Sequence, residues 1–130
     1  MKFLSKFQPL AYTLLRGVSG FMFMCHGAQK LFGVLGWPMG RPAMGSELWI
    51  AGMIEFFLGA AILLGFQARI AAFICSGEMA VAYFTAHWHG TFDQNFFPVV
   101  NHGEPAVLYC FIFLLIATQG AGESAIDKKG

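Results

Sequence analysis

Charged residues are scarce in this sequence. Only 12% of its 130 residues are Asp, Glu, Lys or Arg, whereas soluble domains carry roughly 25%. The net charge is +1 and no basic stripe alternates with stacking aromatic residues, which excludes nucleic acid as a partner. Hydrophobic residues make up 57% of the chain, and the mean hydropathy is +0.61. This composition indicates a single integral membrane domain, with the lipid bilayer as its surroundings.

Cysteine is also scarce. Cys25, Cys75 and Cys110 lie far apart in apolar runs, and none forms a CxxC or CxxCH motif. This spacing argues against a disulfide framework, an iron–sulfur cluster and covalent haem. A glycine-rich nucleotide-binding motif is absent as well. We therefore expect no intrinsic cofactor.

Four apolar stretches have lengths near the 20 or so residues that a helix needs to cross a bilayer. They cover residues 10–32, 48–65, 68–87 and 105–120. Residues 65–67 leave only a tight turn between the second and third stretches, which makes those helices antiparallel neighbours. We predict an all-α fold: one antiparallel four-helix transmembrane bundle over residues 1–130.

Two helix starts carry capping residues. Ser46 is placed to cap the second helix. Asn101 stands three residues before Glu104, which is followed by Pro105. This pattern is typical of an N-cap with a reciprocal carboxylate, so the fourth helix is expected to begin at Asn101.

The distribution of Lys and Arg predicts the orientation. One side of the predicted bundle holds five of these residues, and the opposite side holds Arg41 and, at a helix end, Lys30. The positive-inside rule then places both termini and the 65–67 turn in the cytoplasm, with the long connectors 33–46 and 88–104 facing outward. The cytoplasmic side carries Lys2, Lys6, Arg69, Lys128 and Lys129.

Three ionisable residues, Arg16, Glu55 and Glu78, lie deep in the predicted spans. An ionised group at such depth costs about 2.5 to 3.5 kcal/mol even on mild insertion scales, so all three should face the protein interior and meet there. Lys30 and His26 lie about 8 to 14 Å nearer the outer surface than the two carboxylates do, by helical rise. We therefore expect Arg16 to pair with one carboxylate. The other, for which we favour Glu78, should stay protonated.

The first helix should place its polar and small residues on one face. Arg16 and Lys30 share that face at helical spacing, and the small residues beside them allow a neighbouring helix to approach closely. The second helix has Gly52 and Gly59 on either side of Glu55. The remaining members of the stripe are Ser19, Gly20, Phe23, His26 and Gly27.

Purely structural explanations compete with a functional site. A buried Arg–Glu pair can serve only to fix the helix register. Lys30, at a helix end, can extend to the lipid headgroups, and His26 can be a hydrogen-bonded packing residue. If the buried groups do form a functional site, its residues are Arg16, His26, Lys30, Glu55 and Glu78.

A second polar group lies in the outer connector. His87 and His89 are separated by Trp88, and His102 could supply a third imidazole. The intervening loop is long and nothing in the sequence fixes a ligand geometry, so no metal site is predicted. This outer-face cluster consists of His87, His89, His102 and Glu104.

Four segments taken in order resemble the DoxX family of small bacterial inner-membrane proteins. The likeness covers roughly residues 10–120. It implies a multi-pass four-helix bundle in the bacterial inner (plasma) membrane and a link to respiratory or sulfur redox chemistry. Relatives include a subunit of thiosulfate:quinone oxidoreductase and membrane partners of redox or detoxification enzymes. The segments are HGAQKLFG, EFFLGAAILLGFQARIAA, AYFTAHW and FFPVVNHGEPAVLYCFIFLLIA.

Carried over by this resemblance, the family-like polar positions are Arg16, His26, Gly27, Lys30, Glu55, Gly65, Arg69, Asn101 and Glu104. Three functions fit the residues. The chain can be a quinone-associated, itself non-catalytic subunit of a membrane oxidoreductase that needs a redox-enzyme partner. It can be a proton-coupled carrier of small molecules, working as a homo-oligomer. It can also be a membrane scaffold without its own activity.

Overall fold

The computed structural model describes residues 1–127, and every regular element within them is helical. The all-α prediction is thus confirmed for this range. The helix that begins at Ala68 continues into a π-helical turn, Tyr83–His87, and a 3-10 turn, Gln94–Phe96, follows in the outer connector. The helices are α1 (Lys2–Ser5), α2 (Gln8–Phe32), α3 (Glu47–Leu64), α4 (Ala68–Ala82), α5 (Pro98–Asn101) and α6 (Glu104–Gln119).

The long helices match the ends of the four predicted stretches to within two residues when the π-helical turn is counted as part of α4. The Ser46 cap is confirmed, because its hydroxyl accepts the Trp49 backbone N–H at 3.2 Å. The predicted start of the last helix is wrong. α6 begins at Glu104 with Gly103 as its N-cap, and Asn101 instead ends α5. Lys128 and Lys129, which contributed to the predicted orientation, lie outside the described residues.

α4 turns large apolar side chains outward and small ones inward. Ala68, Ala72 and Cys75 are fully buried, whereas Phe73 is 67% exposed on the same helix. Over residues 1–127, the segments long and apolar enough to cross a membrane are Glu47–Leu64 and Ala68–His87. Only 22% and 33% of their residues are buried, unlike a core helix of a soluble protein. This arrangement is typical of helices that pack through small residues and face lipid.

Glycine brings the backbones of α2 and α3 into contact. A Cβ atom on Gly20 would lie 2.6 Å from the Leu63 backbone nitrogen, and one on Gly59 would lie 2.6 Å from that of Met24. Gly27 meets the backbone of Phe56 in the same way, two turns further along. The close approach predicted for the small residues is therefore confirmed, and it fixes an antiparallel register.

The second helix pair, α4 and α6, is also antiparallel. The Ser76 hydroxyl donates to the Cys110 carbonyl at 2.8 Å, midway along both helices. α3 packs on α4 and joins the pairs, whereas α2 touches α6 mainly through Phe23. That ring meets Phe113 edge-on, with centroids 4.7 Å apart.

The C-terminal segment, residues 120–127, ties one end of the bundle together. The Asp127 carboxylate accepts the backbone N–H groups of Gln67 (2.8 Å) and Ala68 (2.9 Å), and so caps the start of α4. The Tyr12 hydroxyl donates to the Gly120 carbonyl at 2.5 Å. The beginning of α2, the 65–67 turn and this segment therefore lie at the same end of the protein.

We predict that Gly20→Ala destabilises the protein by about 1 to 3 kcal/mol, because the new methyl group forces the α2 and α3 backbones apart. Gly17→Ala is the matched control one turn away, where a Cβ would make only an ordinary 3.9 Å contact with Leu63. It should be neutral or stabilising by up to about 1 kcal/mol. Thermal unfolding in detergent micelles measures both, and equal effects would contradict the close backbone contact.

Candidate functional site

Lys30 and Glu55 form an ion pair between α2 and α3. The Lys30 ammonium donates to Oε1 of Glu55, and the two side chains are 16% and 4% exposed. A charge pair removed from water in this way needs further hydrogen bonds to offset its desolvation. The other carboxylate oxygen of Glu55 is buried and has no partner among residues 1–127. One acceptor of the pair is thus left unused.

Within residues 1–127 Arg16 forms no ion pair with a carboxylate, so its predicted pairing with Glu55 or Glu78 is wrong. The residue is 2% exposed, and its guanidinium donates through Nη1 to the carbonyl oxygens of Ile62 (2.7 Å) and Leu63 (2.8 Å). Nη2 donates to the Ser124 carbonyl at 2.9 Å. The last carbonyls of a helix have no intrahelical donor, and they attract a cation. Arg16 therefore closes the C-terminal end of α3.

The direction of helical side chains explains why Lys30, and not Arg16, reaches Glu55. Side chains lean toward the N-terminus of their own helix. In the antiparallel register Gly52 lies beside Lys30, because a Cβ atom on Gly52 would be 3.0 Å from the Lys30 Cβ. Glu55 leans toward Gly52 and Lys30 leans back toward Gly27, so the two side chains converge. Arg16 also leans toward the N-terminus of α2, which takes its guanidinium away from Glu55 and toward the C-terminal end of α3.

Glu78, on α4, is the second buried acid. Both of its carboxylate oxygens are buried without a hydrogen-bond partner in the described part of the chain. It lies close enough to Glu55 and Lys30 for their charges to act on it. The structure therefore brings Lys30, Glu55 and Glu78 into one neighbourhood and leaves Arg16 outside it, about 21 Å along α2 from Lys30.

Tyr109, on α6, belongs to this neighbourhood and escaped the sequence analysis. It is 8% exposed, and its hydroxyl is buried without a partner within residues 1–127. The His26 ring stands edge-on to it, with centroids 6.3 Å apart, and Glu55 is within electrostatic range. A buried tyrosine hydroxyl normally finds a partner, but one Tyr in an apolar helix carries no sequence signal that separates it from a packing residue.

The site is thus built from side chains of four helices. α2 supplies a cation and an imidazole, α3 and α4 each supply a carboxyl group, and α6 supplies a phenol. We call five residues the interior polar cluster: Lys30, Glu55, Glu78 and Tyr109 lie partly or fully inside the protein, and His26, which was predicted to be buried, is exposed at the edge of the cluster.

The outer-face cluster is organised by Asn101. Its amide donates to the Asn95 carbonyl (2.7 Å) and the Tyr83 hydroxyl (3.2 Å), and its side-chain oxygen accepts the Gly103 N–H at 2.8 Å. The Asn101 carbonyl also lies 3.1 Å from Nδ1 of His87. This amide joins the π-helical end of α4, the connector and the start of α6.

The other members of the outer-face cluster are solvent-facing. His89, His102 and Glu104 are exposed. No three His, Cys, Asp or Glu side chains come together as a possible metal site anywhere in residues 1–127.

A double-mutant cycle tests the pairing of the charges. We expect Lys30→Met and Glu55→Gln to show a coupling energy of about 1 to 3 kcal/mol in unfolding measurements, because the two groups are in contact. Arg16→Met and Glu55→Gln should couple by less than about 0.5 kcal/mol, as distant sites do. Stronger coupling for Arg16 than for Lys30 would show that the assignment is reversed.

Replacing Asn101 by Ala removes three side-chain hydrogen bonds from the outer connector. We expect the free energy of unfolding to fall by about 1 to 3 kcal/mol, since partly buried partners lose their donor or acceptor. The control is Asn95→Ala, because Asn95 bonds to this connector through its backbone. The thermal unfolding midpoints of the two variants measure the difference. A similar loss of stability in both would refute the role given to the Asn101 amide.

Comparison with known proteins identifies the family of this chain. The DoxX family model matches residues 11–88, which contain most of α2 and all of α3 and α4 with its π-helical end. A protein of Haemophilus influenzae described as uncharacterized is 41% identical over 134 residues, covering 99% of this chain and 97% of that protein. No solved structure matches the chain. The chain therefore belongs to the DoxX family, a family of membrane proteins.

Proposed function

We propose that this chain is a multi-pass protein of the bacterial inner membrane that binds a quinone as a subunit of an oxidoreductase system. All four long helices cross the bilayer in this proposal. α2 has ample length, since 25 residues rise about 37 Å, and its charged groups Arg16 and Lys30 are engaged inside the protein. The 65–67 turn and residues 120–127 face the cytoplasm, as the positive-inside rule requires.

The interior polar cluster carries the proposal. A quinone head is flat and apolar with two carbonyl oxygens, so its site needs hydrogen-bond donors within an apolar pocket. The Tyr109 hydroxyl is a buried donor without a partner in the described chain, and the neighbouring His26 imidazole and the Lys30 ammonium are further donors. A ligand carbonyl would satisfy groups that are otherwise costly to bury.

Glu78 is the proton-exchanging group in this proposal. Reduction of a quinone to a quinol consumes protons as well as electrons. A carboxyl buried without a donor is held more readily as the neutral acid than as the anion, and Glu55 nearby adds negative charge to the surroundings. Glu78 would therefore deliver a proton to one quinone oxygen, take up another from the solvent side and deliver that as well, so that two protons accompany the two electrons supplied by the redox partner.

Electrons have to come from a partner protein. The sequence has no nucleotide-binding glycine motif and no cluster-forming cysteine spacing. The chain would thus supply the quinone site in the membrane, and a redox enzyme docked on it would supply the electron-carrying cofactor.

A second candidate function is proton-coupled transport of a small molecule. The interior polar cluster also favours this function, because a buried acid next to an ion pair can couple proton binding to a movement of helices. In that case the cluster binds protons and a transported solute in turn, with no requirement for a quinone.

Quinone content of the purified protein separates these functions. We expect about one quinone per chain after purification in mild detergent, and a loss of about tenfold in Glu78→Gln and in Tyr109→Phe, corresponding to about 1.4 kcal/mol. Both variants keep side-chain shape and leave the Lys30–Glu55 pair intact. The control, Glu104→Gln, changes an exposed acid and should retain the quinone.

Two other outcomes would reject the quinone proposal. Proton-driven uptake into liposomes without bound quinone would support the carrier. Variants that change only the unfolding temperature would support a scaffold whose buried charges fix the helix register.

A further inference from the structure

A groove runs between α2 and α6 on the outside of the bundle. Phe23 on α2 packs against Tyr109 and Phe113 on α6, and the Tyr12 hydroxyl reaches Gly120, the residue that follows α6. Beside these contacts the two helices leave a space of about 530 Å³, which is lined on α6 by residues between Pro105 and Ile112. The α2 wall extends from Ala11 to Met22, a rise of about 16 Å.

The walls of the groove are apolar along its length. Val18 and Met22 line one side and Leu108 and Ile112 the other. Val18 and Leu108 are 54% and 63% exposed, so the groove is accessible from the lipid rather than enclosed in the core. Such a surface suits a hydrocarbon chain and offers nothing to a charged headgroup.

The groove and the interior polar cluster share one residue, Tyr109. Tyr109 lines the groove, and the same residue stands against His26 and within electrostatic range of Glu55. Its hydroxyl is the buried group that has no partner in the described chain. A ligand with a polar head at Tyr109 and a long apolar tail would therefore match both features at once.

We propose that the α2–α6 groove binds the isoprenoid tail of the quinone and is the path by which the quinone enters from the bilayer. This inference rests on the proposed function, because the head is placed in the interior polar cluster. An ordinary lipid fits less well, since its charged headgroup would lie either at Tyr109, within the membrane, or away from the unpartnered hydroxyl. Tail length then contributes to affinity, and Tyr109 joins the tail site to the head site.

The test compares two quinones in protein reconstituted into nanodiscs: a radiolabelled benzoquinone without a tail, and the same benzoquinone with a long isoprenoid tail. Val18→Trp fills the groove, and we expect it to weaken binding of the tailed quinone about tenfold while leaving the tailless one unchanged. Val81→Trp is the matched control. Val81 is 61% exposed on α4, away from the groove, and this variant should bind both quinones like the original chain.

Leu108→Trp, from the opposite wall, repeats the test if Val18→Trp fails to fold. Equal affinity of the tailed quinone for the groove-filling and control variants would overturn the tail site and leave quinone binding by the cluster intact. Equal weakening of both quinones would also overturn it, because the groove would then act on the head. If the original chain binds neither quinone, the proposed function fails and the tail site fails with it.

Discussion

A helix that ends within or near a membrane has carbonyl groups that need donors, and this requirement governs the positions of the arginines. Arg16 donates to carbonyls in the last turn of α3, and Arg69 donates to those of Ala117 (3.1 Å) and Thr118 (2.5 Å) in the last turn of α6. The cation also opposes the negative end of each helix dipole, a favourable interaction of about 0.3 to 1 kcal/mol and up to about 2 where buried. Each antiparallel pair, α2 with α3 and α4 with α6, is closed by the same device.

The role of Arg16 determines the character of the interior polar cluster. With the guanidinium bound to backbone carbonyls, Lys30 is the residue that neutralises Glu55, and the Glu78 carboxyl group has no hydrogen-bond partner within residues 1–127. A cluster with one cation and two acids is suited to holding a proton, which an Arg–Glu pair and a separate Lys would not be. Because Arg16 has a structural role, Glu78 is left without a cationic partner of its own among the described residues and can bind and release a proton.

The sequence located most of the elements but not their partners. The four long helices, the 65–67 turn and the glycine contacts follow from hydropathy and from small residues at helical spacing, because these are local or periodic properties. The pairing of Lys30 with Glu55 was within reach, since side-chain direction and an antiparallel register together predict it. Depth along the helix alone favours Arg16 as the cation that pairs with a buried carboxylate, because it ignores the direction of the side chains. Asn101 stands in a capping pattern, but its amide forms hydrogen bonds within the outer connector, whose path cannot be predicted from any periodicity in the sequence.

Some features had no sequence signal at all. Tyr109 is one apolar-looking residue in an apolar helix, and only the packing of α6 against α2 places its hydroxyl beside His26 and Glu55. Asp127 lies in a polar tail, where nothing indicates that its carboxylate caps α4. The amino-acid sequence by itself determined the helices and the number of ionisable groups buried among them, because burial of apolar surface and the cost of charge in lipid depend on composition and spacing. Tertiary structure alone decided which of those groups meet, because register and side-chain direction are set by how closely the helix backbones approach.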